Sequence, residues 1–264
     1  MEITEHLDTL RRQGELMAAA AGRAGLAAAV PSCPSWQVKD LLRHTGYIHR
    51  WAARHIEEGP GEIIDGPAEA EILRGGAADD DLLDWFRAGH AALVETLASA
   101  DPAVACATFM PAPSALAFWT RRQAHETAIH RADAELAAGP VDDPVPEYPA
   151  GFAADGLDEL IMGFGQRRKY QPQAGPAASG GLLRVMAADT GDAWSIAASP
   201  GRLQPRRETA TDAAGEAGCT VSGPATGLYV FLWNRADAAA ADVSVTGDPG
   251  LLTSWQASVK VRWS

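Results

Sequence analysis

Glu126 and His130 are potential metal ligands that lie close together in the segment FWTRRQAHETAIHRADAE, residues 118–135, which also carries a second carboxylate, Asp133. Because Glu126 and His130 are four residues apart, a helix places both side chains on one face, within reach of a single cation. Burying two carboxylates and an imidazole on a helix costs several kcal/mol unless partners satisfy them. A divalent metal ion such as zinc, which binds both imidazole and carboxylate groups, is one such partner.

Two further histidines are candidates for a third ligand. His44 and His90 fall on the inward-facing positions of two other predicted helices. Either could complete a site with Glu126 and His130, and His90 could instead act nearby as a general acid or base. Three protein ligands leave one position of a zinc ion open, which is what a catalytic site requires.

The other histidines fit a metal site less well. His125 points about 100° away from Glu126 on a helix, so HETAIH lacks the paired histidines, four residues apart, of zinc proteases. His49 and His55 are expected to be surface or rim residues.

Several side chains near the proposed ligands are candidates for contacting a substrate or a thiol. Arg121, Arg122 and Arg131 are expected on a solvated helix face, although Arg131 could pair with a substrate carboxylate. Asp133 could pair with that arginine or orient a ligand histidine. Trp51, like Trp36 and Trp119, is expected in the core or in a pocket wall.

The composition is that of a globular protein with an acidic surface. The 264 residues are 47% hydrophobic and 21% charged, with a net charge of -12. A nucleic-acid-binding surface needs clustered Lys and Arg, and an acidic chain is not attracted to anionic membranes. No run of about 18 apolar residues occurs, and the N-terminal residues carry charges where a signal peptide needs an apolar core. We therefore expect a cytoplasmic protein without nucleic-acid or membrane partners.

The three cysteines do not indicate a metal site of their own. They are odd in number, widely separated and in no CxxC arrangement, which disfavours both a disulfide framework and a cysteine zinc site. A zinc site must therefore be built from histidine and carboxylate ligands.

The periodicity of apolar residues predicts two domains. Four amphipathic helices, at about 3–27, 36–58, 80–99 and 114–138, predict a four-helix bundle over residues 1–140. A proline-rich stretch, residues 139–149, then forms the boundary. Residues 150–264 alternate helices with short strands and predict a small α+β domain. Its strands are expected in LLRVMAAD, AWSIAAS, CTVSG and ADVSVTGD, and its helices at 150–164, 224–234 and 249–259, with QRRKYQPQAGPAASGG as a mobile loop.

Three segments resemble a known family. VPSCPSWQVKDLLRHTGYIHRWA (30–52) and residues 118–135 resemble the two signature stretches of the mycothiol-dependent maleylpyruvate isomerase family, which belongs to the DinB-like bundle superfamily. Residues 221–255 are similar to the C-terminal domain of that family, a small α+β module related in shape to sterol carrier proteins. The resemblance covers both predicted domains.

The resemblance implies a ligand set and a cosubstrate. It implies a divalent metal, usually zinc, held by His44, Glu126 and His130, with mycothiol as the thiol cosubstrate. The arginine of LWNR, Arg235, is implied as a substrate-side residue. Asn234 stands where the family often has glycine, and this departure bears on the identity of the substrate more than on metal binding.

These observations favour a zinc-dependent, mycothiol-using enzyme, either a thiol transferase or a maleylpyruvate-type cis-trans isomerase. Its partners are then a small electrophile and a low-molecular-weight thiol, and we expect a monomer, with a dimer as the alternative. Two other functions stay open at this point. One is a protein that binds a small ligand without turnover, and the other is a metal-dependent hydrolase that needs no thiol.

Overall fold

The computed structural model describes residues 1–139, 146–167, 181–199, 202–209, 211 and 216–259. The chain divides into two compact units, Met1–Pro144 and Val145–Ser264. Within these described ranges it contains eight α-helices and one five-stranded sheet. None of the described helices is long and apolar enough to cross a membrane.

The N-terminal unit is a four-helix bundle with one additional short helix. The helices are α1 (Ile3–Ala24), α2 (Val38–Glu58), α3 (Gly66–Arg74), α4 (Leu82–Ser99) and α5 (Ala115–Ala138). In the bundle, α1 and α2 each pack against both α4 and α5. The predicted bundle is therefore confirmed. The sequence predicted only a connection at about residues 59–79, where the structure has the short α3. This helix has nine residues and buries only Ile72.

A hairpin of extended chain precedes α2 and sets where that helix begins. Ala29 pairs with Gln37, and the backbone amide of Val30 donates to the carbonyl of Trp36 over 2.9 Å. Gln37 then caps α2 in a reciprocal arrangement with Asp40, whose carboxylate accepts from the Gln37 amide over 2.9 Å. The helix consequently starts two residues later than predicted, and Trp36 belongs to the hairpin.

The helix α5 is buried on all its faces, whereas the sequence predicted one inward stripe. Every residue from 122 to 134 is buried. Alanines at 124, 128 and 132 have no exposed surface and allow the neighbouring helices to approach closely. Polar side chains on α5 must therefore find partners inside the protein.

Two histidines that were expected at the surface are buried, so that prediction is wrong. His49 is fully buried, and its Nε2 lies 2.9 Å from the hydroxyl of Thr127 on α5. His55 donates from Nδ1 to the carbonyl of Trp51 and accepts at Nε2 from the amide of Ile64. Because an imidazole can both donate and accept, His55 is satisfied inside the protein as a neutral ring.

The C-terminal unit is a small α+β domain, as predicted. Its elements are α6 (Ala150–Asp158, continued by a π-helical turn Glu159–Gly163 and a 3-10 turn Phe164–Gln166), β1 (Gly181–Ala187), β2 (Asp192–Ser199), β3 (Arg202–Thr209), β4 (Cys219–Gly223), α7 (Ala225–Leu232), β5 (Ser244–Gly247) and α8 (Pro249–Ser258). The sheet order is β3-β2-β1-β4-β5, in which only the β1–β4 pair is parallel. In the centre, Val185 pairs with Trp194 on one side and with Val221 on the other.

The sequence did not predict β3. Its residues, RLQPRRET, are mostly polar, and only Leu203 is buried. The strand lies at the edge of the sheet, where Pro205 does not interrupt a central ladder. The loop predicted between α6 and β1 spans residues 166–181. Most of it, residues 168–180, lies outside the described residues.

We expect the buried His49 to make the stability of the protein depend on pH. Burial lowers its pKa well below the ordinary value of 6.5, so the folded protein binds fewer protons than the unfolded chain at acidic pH. This contribution to stability is fully present above pH 6.5 and is lost as the pH falls below it, by about 1.4 kcal/mol one pH unit lower. Chemical denaturation of wild type and His49→Gln near pH 7.5 and near pH 5.5 measures the effect. Equal losses of unfolding free energy in both proteins would contradict it.

Candidate metal centre

The helices α2 and α5 bring His44, Glu126 and His130 together in the bundle. The Nε2 atom of His44 lies 3.3 Å from Oε1 of Glu126, and Nε2 of His130 lies 3.2 Å from the same oxygen. One ligand atom from each residue lies within 4.8 Å of the other two. The three side chains are 11%, 4% and 9% exposed, in that order, so the cluster is largely shielded from water.

The separations between these atoms suit a zinc ion. In a tetrahedral site with bonds of about 2.0–2.1 Å, neighbouring ligand atoms lie about 3.3–3.4 Å apart. The two nitrogen-to-oxygen distances of 3.3 and 3.2 Å are close to that edge length. Two imidazole nitrogens and one carboxylate oxygen are also a donor set that zinc accepts in catalytic sites, with one position left for a substrate.

Asp133 fixes the orientation of His130. The Nδ1 atom of His130 donates to Oδ2 of Asp133 over 2.8 Å, which leaves Nε2 directed at Glu126. Asp133 is fully buried, and its other oxygen accepts a hydrogen bond from the hydroxyl of Ser32. This is the usual arrangement around a metal-bound histidine, whose second nitrogen donates to a carboxylate. The structure thus shows the contact that orienting His130 would require, and the role of Asp133 at a metal stays a prediction.

Arg122 neutralises Glu126 from one turn earlier on α5. Its Nη2 donates to Oε2 of Glu126 over 2.6 Å, and the two side chains are 1% and 4% exposed. The predicted solvated face is therefore wrong for Arg122, because α5 is buried on all sides and the guanidinium is needed beside a buried carboxylate. With Oε2 bound by Arg122, Oε1 is the oxygen that faces both histidines.

The charges around the cluster favour a cation. Burial would raise the pKa of Glu126, but the charge of Arg122 and hydrogen bonds with His130 and His44 hold it well below its usual range. Burial lowers the pKa of His44. It would also lower that of His130, but hydrogen bonds with Asp133 and Glu126 outweigh it and raise the pKa to about 9. The carboxylates of Glu126 and Asp133 therefore stabilise positive charge on His130, at this point of the bundle.

Trp36 packs against both histidines of the cluster. Its ring centroid lies 5.0 Å from that of His44 and 6.3 Å from that of His130, nearly parallel to the latter at 25°. Sequence reasoning considered Trp36 only as core or pocket wall and did not single out Ser32. No spacing rule could have found these contacts, because Ser32 and Asp133 are 101 residues apart in the chain.

His90 and Trp51 lie away from the cluster. The Nε2 atom of His90 is 3.3 Å from the carbonyl of Arg11 on α1. Trp51 is two turns after His44, roughly 10 Å further along the helix axis, and its indole donates to the carbonyl of Ile64 over 2.8 Å. Among the residues that the structure describes, the group with metal-ligand spacing on α2 and α5 contains His44 and not His90.

The arginine candidates have partners of their own. Arg131, 8% exposed, donates to Glu135 over 2.8 Å and to the side chain of Gln13 over 3.0 Å, so the expectation of a solvated face is wrong here as well. Arg235 belongs to the C-terminal unit, where it follows α7 and donates to the carbonyl of Trp233 over 2.6 Å. His125, which sequence reasoning set aside as a metal ligand, is buried and packs edge-on against His6.

Two family models match the chain. The model described as the mycothiol maleylpyruvate isomerase N-terminal domain matches residues 7–135, and the MDMPI C-terminal domain matches residues 151–254. Together they cover both compact units. No curated protein sequence matches the chain significantly.

Solved structures show the same fold. Two crystal structures of a mycothiol-dependent maleylpyruvate isomerase, one of them a histidine-to-alanine mutant, each align with a TM-score of 0.60 over 93% of both chains. The sequence identity is 13% in each case, a level at which the likeness concerns the fold.

We expect Asp133→Asn to weaken zinc binding by roughly 10- to 100-fold, because His130 loses the carboxylate that fixes its ring and its tautomer. Competition with a chromogenic chelator measures the dissociation constant. Asp84→Asn is a matched control, since Asp84 is an exposed carboxylate on α4 that pairs with Arg87. Equal zinc affinity in wild type and Asp133→Asn would contradict the role given to Asp133.

Proposed function

Because the chain belongs to the mycothiol-dependent maleylpyruvate isomerase family, an enzyme family, we propose that it is a zinc-dependent enzyme that adds the sulfur of mycothiol to a small electrophile. One observation of the structure carries the proposal. It is the convergence of His44, Glu126 and His130 within 4.8 Å, with His130 oriented by a buried carboxylate. A structural zinc site would have four protein ligands, whereas three leave a position for a substrate.

The proposed roles of the side chains follow from their contacts. His44 and His130 bind zinc through Nε2, and Glu126 binds it through Oε1 while Arg122 occupies Oε2. Asp133 keeps His130 in the tautomer whose Nε2 lone pair is available. When bound, zinc supplies the positive charge that keeps a thiol ionised at neutral pH. Trp36 shields the ligands on one side.

The resemblance supplies the reaction that this site would perform. In an isomerisation, the thiolate adds to an activated double bond and forms a carbon–sulfur bond, with the electron pair of the double bond moving onto the activating carbonyl. The adduct rotates about what is now a single bond, and loss of the same thiolate restores the double bond in the trans form. In a transfer, the carbon–sulfur bond is kept and the electron pair on the carbonyl returns to carbon, which takes up a proton. Both reactions begin with thiol addition, which is the step that we propose.

Arg235 is the residue that we propose as the anion contact for the substrate. A guanidinium binds a carboxylate through two parallel hydrogen bonds, which suits an acidic electrophile such as maleylpyruvate. Arg131 stays a prediction as a second anion contact. Its guanidinium already donates to Glu135 and Gln13, so a substrate carboxylate would have to compete with these two side chains. As mycothiol is a cytoplasmic thiol of actinobacteria, the proposal also implies an actinobacterial, cytoplasmic enzyme.

We expect protein purified without chelator to contain about one zinc ion per chain, and Glu126→Ala or His130→Ala to lose it, because each removes one of three ligands. Elemental analysis measures the metal. Glu95→Ala, which removes an exposed carboxylate of α4, is a control that should keep it.

The same proteins are then assayed for mycothiol-dependent turnover of maleylpyruvate and of a panel of electrophiles. Turnover should require both mycothiol and zinc, and should fall at least 100-fold in the two ligand variants, as expected for loss of the ion that activates the thiol. Wild-type protein without metal would contradict the proposal. Activity that needs no thiol would indicate hydrolysis, and retention of an electrophile without thiol consumption would indicate a binding protein.

A further inference from the structure

The hairpin of residues 29–37 is a defined piece of structure between α1 and α2. Besides the pairing of Ala29 with Gln37, the amide of Trp36 donates to the carbonyl of Cys33 over 2.8 Å. The amide of Val38 donates to the carbonyl of Ala28 over 2.9 Å, which ties the base of the hairpin to the start of α2. Its tip, which includes two prolines, is therefore held at a fixed position relative to α2.

This hairpin contacts the metal centre at two separate points. Near its tip, the hydroxyl of Ser32 donates to Oδ1 of Asp133. At its end, the ring of Trp36 packs against His44 and lies nearly parallel to His130. A loop that only connected two helices would not need contacts with both ligand histidines and with the carboxylate that orients one of them.

The two oxygens of Asp133 connect Ser32 to His130. Oδ1 accepts from Ser32, and Oδ2 accepts from Nδ1 of His130 over 2.8 Å. Because the carboxylate is planar, rotation about its bond to Cβ moves both oxygens together. Asp133 is fully buried, so solvent does not compete for its orientation. A donor on Oδ1 therefore determines how Oδ2 is presented to the imidazole.

We propose that Ser32 is a positioning residue of the metal centre, which acts through Asp133 to hold His130 in its metal-binding orientation and which fastens the 29–37 hairpin over the ligands. This inference rests on the proposed function, because it assumes that His130 binds zinc. Ser32 lies outside the two helices that carry the proposed ligands. Its hydroxyl contacts Asp133 and would not bind the metal itself. If Ser32 only anchored the loop, its loss would lower thermal stability without changing zinc affinity.

The test compares zinc dissociation constants of wild type, Ser32→Ala, Ser32→Thr and Ser35→Ala by chelator competition. Ser32→Ala should weaken binding roughly tenfold, the lower end of the effect of removing a partner beyond the ligands. Ser32→Thr keeps the hydroxyl and should restore affinity to within about threefold of wild type. Ser35→Ala, an exposed serine on the same hairpin, should bind zinc as wild type does.

A double-mutant cycle with Asp133→Asn tests the route of the effect. If Ser32 acts through Asp133, Ser32→Ala in the Asp133→Asn background should weaken zinc binding by less than about twofold further, because the intermediate carboxylate is already gone. A full additional tenfold loss would overturn the inference, as would unchanged affinity of Ser32→Ala in the wild-type background. Thermal melting of each metal-free variant identifies any that fail to fold.

The outcome separates this inference from the proposed function. A wild-type chain that binds no zinc overturns both. A wild-type chain that binds zinc, alongside a Ser32→Ala variant of equal affinity, overturns the role of Ser32 alone and leaves the three-ligand centre standing.

Discussion

The buried carboxylate of Glu126 is the constraint on which the N-terminal unit depends. It lies between a guanidinium on its own helix and two imidazoles, and its side chain is 4% exposed. An unpaired carboxylate at this depth would cost several kcal/mol, so Arg122, His44 and His130 must all be held close to it. Of the four groups, three belong to α5 and one to α2, which ties the packing of those two helices to the chemistry of the site.

Stability alone does not explain these charges. Replacing a buried ion pair with apolar side chains of similar volume is often neutral or stabilising, so an aliphatic core would serve a purely structural bundle at least as well. The cluster also aims its donor atoms at one point, with Arg122 on one oxygen of Glu126 and both histidines near the other. The proposed ligation of a cation requires this asymmetry, and the second carboxylate, Asp133, accepts a hydrogen bond from one of the imidazoles.

Sequence reasoning found what the geometry of single elements determines. The four-residue spacing of Glu126 and His130 is a property of any helix, so the pair was predictable. The choice between His44 and His90 was not, since both occupy inward positions and only the family resemblance favoured His44. In the structure His90 packs so closely against Gly14 of α1 that a Cβ at position 14 would collide with its ring. His90 therefore packs against α1, and the periodicity of apolar residues in the sequence cannot predict this contact.

Other features were unpredictable for reasons of long-range packing. Arg122 was expected in solvent because a helix usually has an exposed face, yet α5 has none between residues 122 and 134. His49 and His55 were misplaced because a polar ring looks like a surface residue until its partners, Thr127 for one and Ile64 for the other, are known. The polar edge strand β3 gave no apolar alternation to detect.

Zinc K-edge X-ray absorption of the zinc-loaded protein, with and without mycothiol, identifies the atoms that bind the metal. We expect two imidazole nitrogens and one carboxylate oxygen at about 2.0–2.1 Å, joined on addition of mycothiol by one sulfur at about 2.3 Å. His44→Ala should lose the bound zinc, as the other two ligand variants do, whereas His90→Ala should keep zinc and both imidazole signals. A sulfur shell in the absence of thiol, or none in its presence, would overturn the proposed binding of mycothiol at this zinc site.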